Sequence, residues 1–348
     1  VLYPRRLCFA HLAPCRARTS IRLISPMFSR GIIVGKFYPP HRGHKYLIDY
    51  ARAQCEELTV LVCWRKGQEI PGPLRAKWIQ RIHPGVRVML IDDDRLADDD
   101  SEGWAKHTLE VLGYKPDAVF TSEDYGDPYA RFMDTVHVLV DKERTNVPIS
   151  GTLARSDPQK YAPFLEPCVR AHFAKRIAII GAESTGTTTL ARALAEHYRT
   201  TWAPEYGRMY SEGRQPLGPG AAWTSEEFEH IARMQNALED AAAEQSKGIV
   251  FLDTDAFATS VWHERYMNTR SEEVERIAQM RHPHLYILTG DEIPFVQDGL
   301  RDGENIRHWM HERFIARLEE DGRPYMLVTG APEERLRKAI AAIEGGGK

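Results

Sequence analysis

The sequence predicts an α/β protein made of two doubly wound parallel sheets, one after the other along the chain. Apolar runs of strand length alternate with helical stretches over most of the 348 residues. A chain of that length suggests two domains, each large enough for its own core. The order strand, glycine-bearing loop, helix also starts twice, at Gly31 and again at Arg176. The expected divisions are an extension at 1–26, a first domain at 27–168 and a second at 169–345.

Residues 1–26 hold Arg5, Arg6, Arg16, Arg18 and Arg22 and no acid, like an organellar transit peptide, but they lack amphipathic periodicity. They read as a disordered extension, or as sequence upstream of a true start at Met27, and are too short for a helix-turn-helix domain. The net charge of −3 gives no polybasic footprint, so nucleic-acid binding is not expected. The five cysteines are scattered with no C-x-x-C pair, which argues against a disulfide framework or structural zinc and fits a reducing cytoplasm. No apolar stretch nears the roughly 20 residues of a membrane span.

In the first half, Gly31-Ile32-Ile33-Val34 reads as a buried strand and Lys45 to Ala51 as a helix. Between them runs Gly35-Lys36-Phe37-Tyr38-Pro39-Pro40-His41-Arg42-Gly43-His44. Unpaired N–H groups at the helix start suit a phosphate, and His41 and His44 add two hydrogen-bonding imidazoles. Alone, H-x-x-H also fits a zinc pair or two ordinary loop histidines. Further strands are expected at 58–64, 86–92, 118–121 and 137–141, with helices near 74–82 and 103–112. The acidic run 92–100 lacks EF-hand spacing and reads as a solvated loop. In Ile149 to Arg155, Ser150 caps a helix, Thr152 adds a hydroxyl and Arg155 a guanidinium, which makes a second phosphate cradle.

The connector 156–168 carries three prolines. Arg176 to Ile180 then reads as a strand, Gly181 to Thr188 as a phosphate loop and Thr189 to Ala195 as a helix, the P-loop context. Gly181, Glu183, Ser184, Gly186, Thr187, Thr188 and Thr189 are therefore candidate ATP contacts. Thr187 stands where the pattern has lysine. The missing cation leaves open a P-loop fold without kinase activity, and Arg192, Lys175, Arg208 and Arg301 are candidate substitutes. Gly248 to Asp255 is an apolar strand ending in two acids, the shape of a Walker B segment in which Asp253 and the Thr188 hydroxyl hold Mg²⁺. A strand at 325–329 and a helix at 332–343 close the second domain.

The stretch from Gly35 to His44 resembles the G-x-F-x-P-x-H-x-G-H signature of the nucleotidylyltransferase superfamily, and 149–155 resembles its I-S-[GTS]-T-x-x-R motif. Thr121 to Gly126 and Val140 to Arg144 look like the S-S-E-x-Y-G and V-D-x-x-R stretches of NadR-type nicotinamide mononucleotide adenylyltransferases. Trp202 to Arg208 resembles the E-Y-x-R element of ribosylnicotinamide kinases, and 291–303 the family's P-D-I-P-W-V-x-D-G-L-R segment, read here as a lid whose Arg301 and Arg307 close over phosphate.

The resemblance covers about 31–343. It implies a Rossmann-like adenylyltransferase domain followed by a P-loop kinase domain, acting in NAD synthesis in the cytoplasm. It assigns His41 and His44 to the α- and β-phosphates of ATP. Gly35, Lys36, Phe37, Gly43, Ser150, Thr152 and Arg155 would hold the triphosphate, with Mg²⁺ bridging its oxygens. Trp78, Ser122, Glu123, Tyr125, Arg144, Tyr206 and Arg208 would hold the nicotinamide nucleotides, although Trp78 fits core packing equally well. Glu205 or Asp255 would take the proton of the ribose 5′-hydroxyl. The implied partners are ATP, nicotinamide mononucleotide and ribosylnicotinamide. A homo-oligomer, a nicotinate or other phosphate acceptor, and a P-loop domain that only senses nucleotide stay open.

Overall fold

The computed structural model describes residues 27–92, 94, 96–218 and 221–345; the expected extension at 1–26 lies outside them. The first half runs β1 (Phe28–Gly35), α1 (Arg42–Gln54), β2 (Cys55–Trp64), α2 (Gly72–Ile82), β3 (Arg87–Asp92), α3 (Ser101–Leu112), β4 (Ala118–Thr121), α4 (Gly126–Phe132), β5 (Val136–Leu139) and α5 (Gly151–Ser156). A short α6 (Pro167–Arg170) follows in the connector. The five strands are parallel in the order β3-β2-β1-β4-β5.

Side chains alternate along β1, and the two faces of the sheet bury different neighbours. Ile33 packs with Phe37, Ile48, Val60 and Ile79, whereas Ile32 packs with Leu61, Ala105, Val119 and Tyr129. Both faces are thus covered, as continuous apolar strands require. The order reverses between β1 and β4, which opens a crevice beyond their carboxyl ends, where Gly35 and Thr121 lie.

The second half repeats the plan with β6 (Lys175–Ile180), α7 (Thr187–His197), β7 (Trp202–Ala203), α8 (Tyr206–Arg214), α9 (Ser225–Gln245), β8 (Ile249–Asp253), α10 (Ala256–Met267), α11 (Glu272–Ala278), β9 (Leu285–Thr289), α12 (Arg307–Glu320), β10 (Tyr325–Val328) and α13 (Pro332–Glu344). Its parallel order is β10-β9-β6-β8-β7. Ala178 and Ile180 face one core, Ile177 and Ile179 the other.

The strands and helices expected from sequence appear, most with ends moved by a few residues. The helix α4, the strands β7 and β9 and the helices α8 to α12 have no counterpart among the elements expected from sequence. In α9 the inner face buries Gln235, Asn236 and Glu239, which breaks the apolar periodicity. In α10 seven of the first eight residues are buried, so no stripe exists to detect. No described helix is long and apolar enough to cross a membrane.

Candidate active sites

The first crevice is a cavity of about 640 Å³ lined by Gly35, Lys36, Phe37, His41, Gly43 and His44 on one side and Ser150, Thr152 and Arg155 on the other. His41 is the N-cap of α1. Its Nδ1 accepts the His44 N–H at 3.4 Å, and His44 Nδ1 accepts the His41 N–H at 3.3 Å. With both Nδ1 atoms accepting, each neutral ring carries its proton on Nε2. The rings stack at 3.7 Å. Gly43 permits this, since a Cβ there would lie 3.1 Å from the His41 ring. Burial, helped by the Arg144 charge, lowers the His41 pKa to about 4, and burial and its neighbours hold His44 well below its ordinary value. The site therefore offers two neutral Nε2–H donors beside the free N–H groups of α1.

Ser150 caps α5 by accepting the Leu153 N–H at 3.2 Å. Arg155 donates to the Tyr38 carbonyl, approaches the Thr152 hydroxyl at 3.4 Å and lies over the Tyr38 ring, which ties the two motifs together. Arg75, fully buried, donates to the carbonyls of Lys36 and Cys63 and braces the loop from below. Lys36 pairs with Asp98 at 2.8 Å, and Arg65 pairs with the same carboxylate at 2.9 Å. The acidic run is thus not merely solvated, because Asp98 also lines the cavity.

Ser122, Glu123, Tyr125 and Arg144 line the same cavity, and Trp78 does not. Trp78 is 6 % exposed and packs with Ile70, Ile149, Ala154, Leu165 and Val169, so the expected stacking platform is a core residue. The tryptophan that lines the cavity is Trp104, on α3, which carries no local motif. Trp78→Ala should cost about 3–5 kcal/mol of stability, read by chemical denaturation. Trp104, partly buried against the Ile32 core, should cost less stability than Trp78 when replaced by Ala, and the loss should weaken ligand binding in the first cavity.

The second crevice, about 560 Å³, is lined by Gly181, Glu183, Ser184, Gly186, Thr187, Thr188, Thr189, Glu205, Arg208, Asp253 and Arg301. Ser184 and Gly186 adopt φ of +61° and +83°, which curls the loop N–H groups into an anion nest. A Cβ on Gly181 would lie 2.2 Å from Thr289 Oγ1, so only glycine fits against β9. Thr188 donates to Asp253 Oδ2 at 2.6 Å, and Asp253 Oδ1 is buried with no protein partner. A hydroxyl and an orphaned carboxylate oxygen are hard donors that fit Mg²⁺. Among the described residues, no group of three or more His, Cys, Asp or Glu forms a metal cluster.

The two candidate bases separate. Asp255 is 2 % exposed and lies outside the cavity lining. Its Oδ1 caps α10 by accepting the Ala258 N–H, and its Oδ2 accepts the Tyr286 hydroxyl at 2.6 Å, so both oxygens are engaged in structure. Glu205 lines the cavity, and burial, with the nearby Asp253 charge, raises its pKa to about 8.

Tyr206 also falls outside the lining; its hydroxyl meets His230 Nε2 at 3.1 Å. The rings that line this cavity are Trp202, Trp223, Phe228, Trp262 and Tyr266, most of them on or next to α9 and α10, which no sequence pattern marks. Of the candidate substitute cations, Arg301 and Arg208 line the cavity. Arg208 is paired with Asp298 and Glu212, and Arg301 approaches Ser184 Oγ at 3.5 Å. Arg192, over Trp202, and Lys175 do not line it.

The lid segment is docked on the P-loop: Val296 N–H donates to Ser184 Oγ at 2.8 Å and Gly303 N–H to Glu183 at 2.7 Å. Arg307, expected to close over phosphate, donates instead to the carbonyls of Ile293 and Ser184.

Residues 176–335 match the model of an AAA domain family. The chain is 29% identical over 322 residues to the trifunctional NAD biosynthesis/regulator protein NadR of Escherichia coli strain K12, covering 86% of this chain and 78% of that protein. The Salmonella typhimurium protein of the same name is 29% identical over 293 residues, 78% of this chain and 71% of that one. The fold matches a crystal structure of NadR in complex with NR (TM-score 0.73, 22% identity) and one in complex with NAD and AMP-PNP (TM-score 0.69, 21% identity). Each match covers 92% of this chain and 96% of the other. Across both sheets, the chain is a homologue of the NadR proteins.

Proposed function

We propose that the protein makes NAD, joining ATP to nicotinamide mononucleotide in the first cavity and phosphorylating ribosylnicotinamide in the second. The observation that carries this reading is the stacked His41–His44 pair at the start of α1, facing the capped start of α5 across one cavity. In the first reaction an oxygen of the mononucleotide phosphate attacks the α-phosphorus of ATP, and pyrophosphate leaves. No enzyme nucleophile is needed. The Nε2–H groups of His41 and His44, with Lys36 and Arg155, stabilise charge that builds on the phosphate oxygens. Trp104 is the apolar platform for the nicotinamide ring, and Ser122, Glu123, Tyr125 and Arg144 line the mononucleotide end.

In the second reaction Glu205 accepts the proton of the 5′-hydroxyl while that oxygen takes the γ-phosphoryl group, and ADP leaves. The aromatic wall of Trp223, Phe228, Trp262 and Tyr266 receives the nucleoside. Asp253 and Thr188 would hold Mg²⁺, which supplies charge neutralisation across the phosphate oxygens. A reducing cytoplasm suits the free Cys55 and Cys168.

The test is NAD and pyrophosphate formation by the full chain from ATP, with nicotinamide mononucleotide, nicotinate mononucleotide and phosphopantetheine competing at equal concentration. NAD as the dominant product is the expected result, and no adenylyl product from any acceptor would overturn the reading. Thr187 favours a second reading of the P-loop domain alone, as a nucleotide sensor without turnover. Nucleotide binding with no ribosylnicotinamide-dependent ADP formation would select it.

A further inference from the structure

The P-loop has lost its lysine, yet two guanidinium groups press on the loop from outside the cavity. Arg335, on α13, is 4 % exposed. It donates to the Thr185 carbonyl at 2.6 Å, to the Gly290 carbonyl at 3.0 Å and, through Nε, to the Gly330 carbonyl at 2.9 Å. Arg307, 9 % exposed, donates to the Ser184 carbonyl at 3.1 Å. Neither residue lines the cavity.

Two of these contacts, at the Ser184 and Thr185 carbonyls, fall on peptide units of the phosphate loop itself. The Ser184 carbonyl shares a peptide with the Thr185 N–H, and the Thr185 carbonyl shares one with the Gly186 N–H. A charge-assisted hydrogen bond at the carbonyl polarises the peptide and strengthens the N–H as a donor. Positive charge is thereby delivered to the nest through its own backbone. Glu292 pairs with Arg335 at 2.7 Å, but its side chain is 42 % exposed and well screened by water. Two guanidinium groups thus meet one solvated carboxylate in direct contact.

We propose that Arg335 and Arg307 replace the missing P-loop lysine by polarising the loop peptides from behind, as positioning residues that touch no substrate. This rests on the reading of the second cavity as a phosphoryl-transfer site.

The test is a cycle in the full chain: Arg335→Met, Thr187→Lys and the double variant, with ribosylnicotinamide-dependent ADP formation as the readout. Arg335→Met should lower kcat roughly 30-fold, the scale of one lost transition-state donor. Thr187→Lys should restore most of that loss. If the double variant stays as slow as Arg335→Met with the same thermal midpoint, Arg335 merely shapes the loop and the proposal fails. Arg335→Lys covers the case in which Arg335→Met does not fold. Retained turnover in it supports charge delivery, and a loss that Thr187→Lys does not relieve overturns it.

If the unmodified chain forms no ADP, the kinase reading fails, and calorimetric binding of AMP-PNP then tests the inference alone. That titration uses a His41→Ala/His44→Ala background to silence the first cavity. Affinity weakened by the Arg335 variant and recovered by Thr187→Lys would support the proposal; unchanged affinity would sink it.

Discussion

His44→Ala should lower NAD formation by about 10²–10³-fold while ribosylnicotinamide phosphorylation, measured in the same preparation, stays intact. Three losses coincide at one ring. The Nε2–H donor to phosphate disappears, the His41 N–H loses its acceptor, and His41 loses the stacking partner that holds its own donor in place. Because both rings are neutral well below pH 7, the adenylyl-transfer rate should be flat between about pH 6 and 8.

Stability responds differently. The unfolded chain binds a proton at each ring near 6.5, whereas the folded His41 does so only near 4. The stabilising contribution of the neutral pair is therefore complete above about pH 6.5 and is lost as pH falls towards 4. A thermal midpoint that did not drop over that window would contradict the burial argument.

Glu205→Gln should abolish most kinase turnover, by roughly 10²–10⁴-fold, and at the same time raise the thermal midpoint near pH 8. The two effects have one cause. Burial and Asp253 raise the Glu205 pKa to about 8, so the folded state favours the protonated carboxyl that the unfolded chain has already lost above 4.5. Folding thus works against this group increasingly as pH rises from 4.5 to about 8, and the amide removes that burden. In the unmodified chain kcat/KM for ribosylnicotinamide should rise with pH through the same region, since only the carboxylate accepts the proton. Activity that survives in Glu205→Gln would exclude Glu205 as the base.

Where function is written in contiguous residues, the sequence was readable. Gly35 to His44 and Gly181 to Thr188 each join a strand end to a helix start through a tight turn, and Ile149 to Arg155 is a capped helix start, so the site chemistry follows from local geometry. Residues that act through a helix face were not readable. Trp104, Trp223 and Tyr266 reach their cavities only once the sheets fix where α3 and α10 lie and where the segment before α9 runs. Trp78 and Asp255 mislead for the opposite reason: an indole serves a core as well as a ligand, and an acid after a strand caps a helix as well as it takes a proton. The guanidinium groups behind the P-loop come from α12 and α13, more than 120 residues downstream of Ser184, with no local signal tying them to it.

The pairing of Lys36 with Asp98 bears on which anions the first cavity retains. Asp98 is shared by Lys36 and Arg65, so the resting cavity already contains its own counter-ion. Lys36 and Asp98 are 46 % and 62 % exposed, so water screens the pair, and an exposed contact of this kind is worth at most about 1 kcal/mol. On the proposed function a triphosphate, which offers several charges at once, draws Lys36 away and leaves Arg65 to neutralise Asp98. The contact then acts as a weak internal competitor that a multivalent anion displaces more readily than a monovalent one.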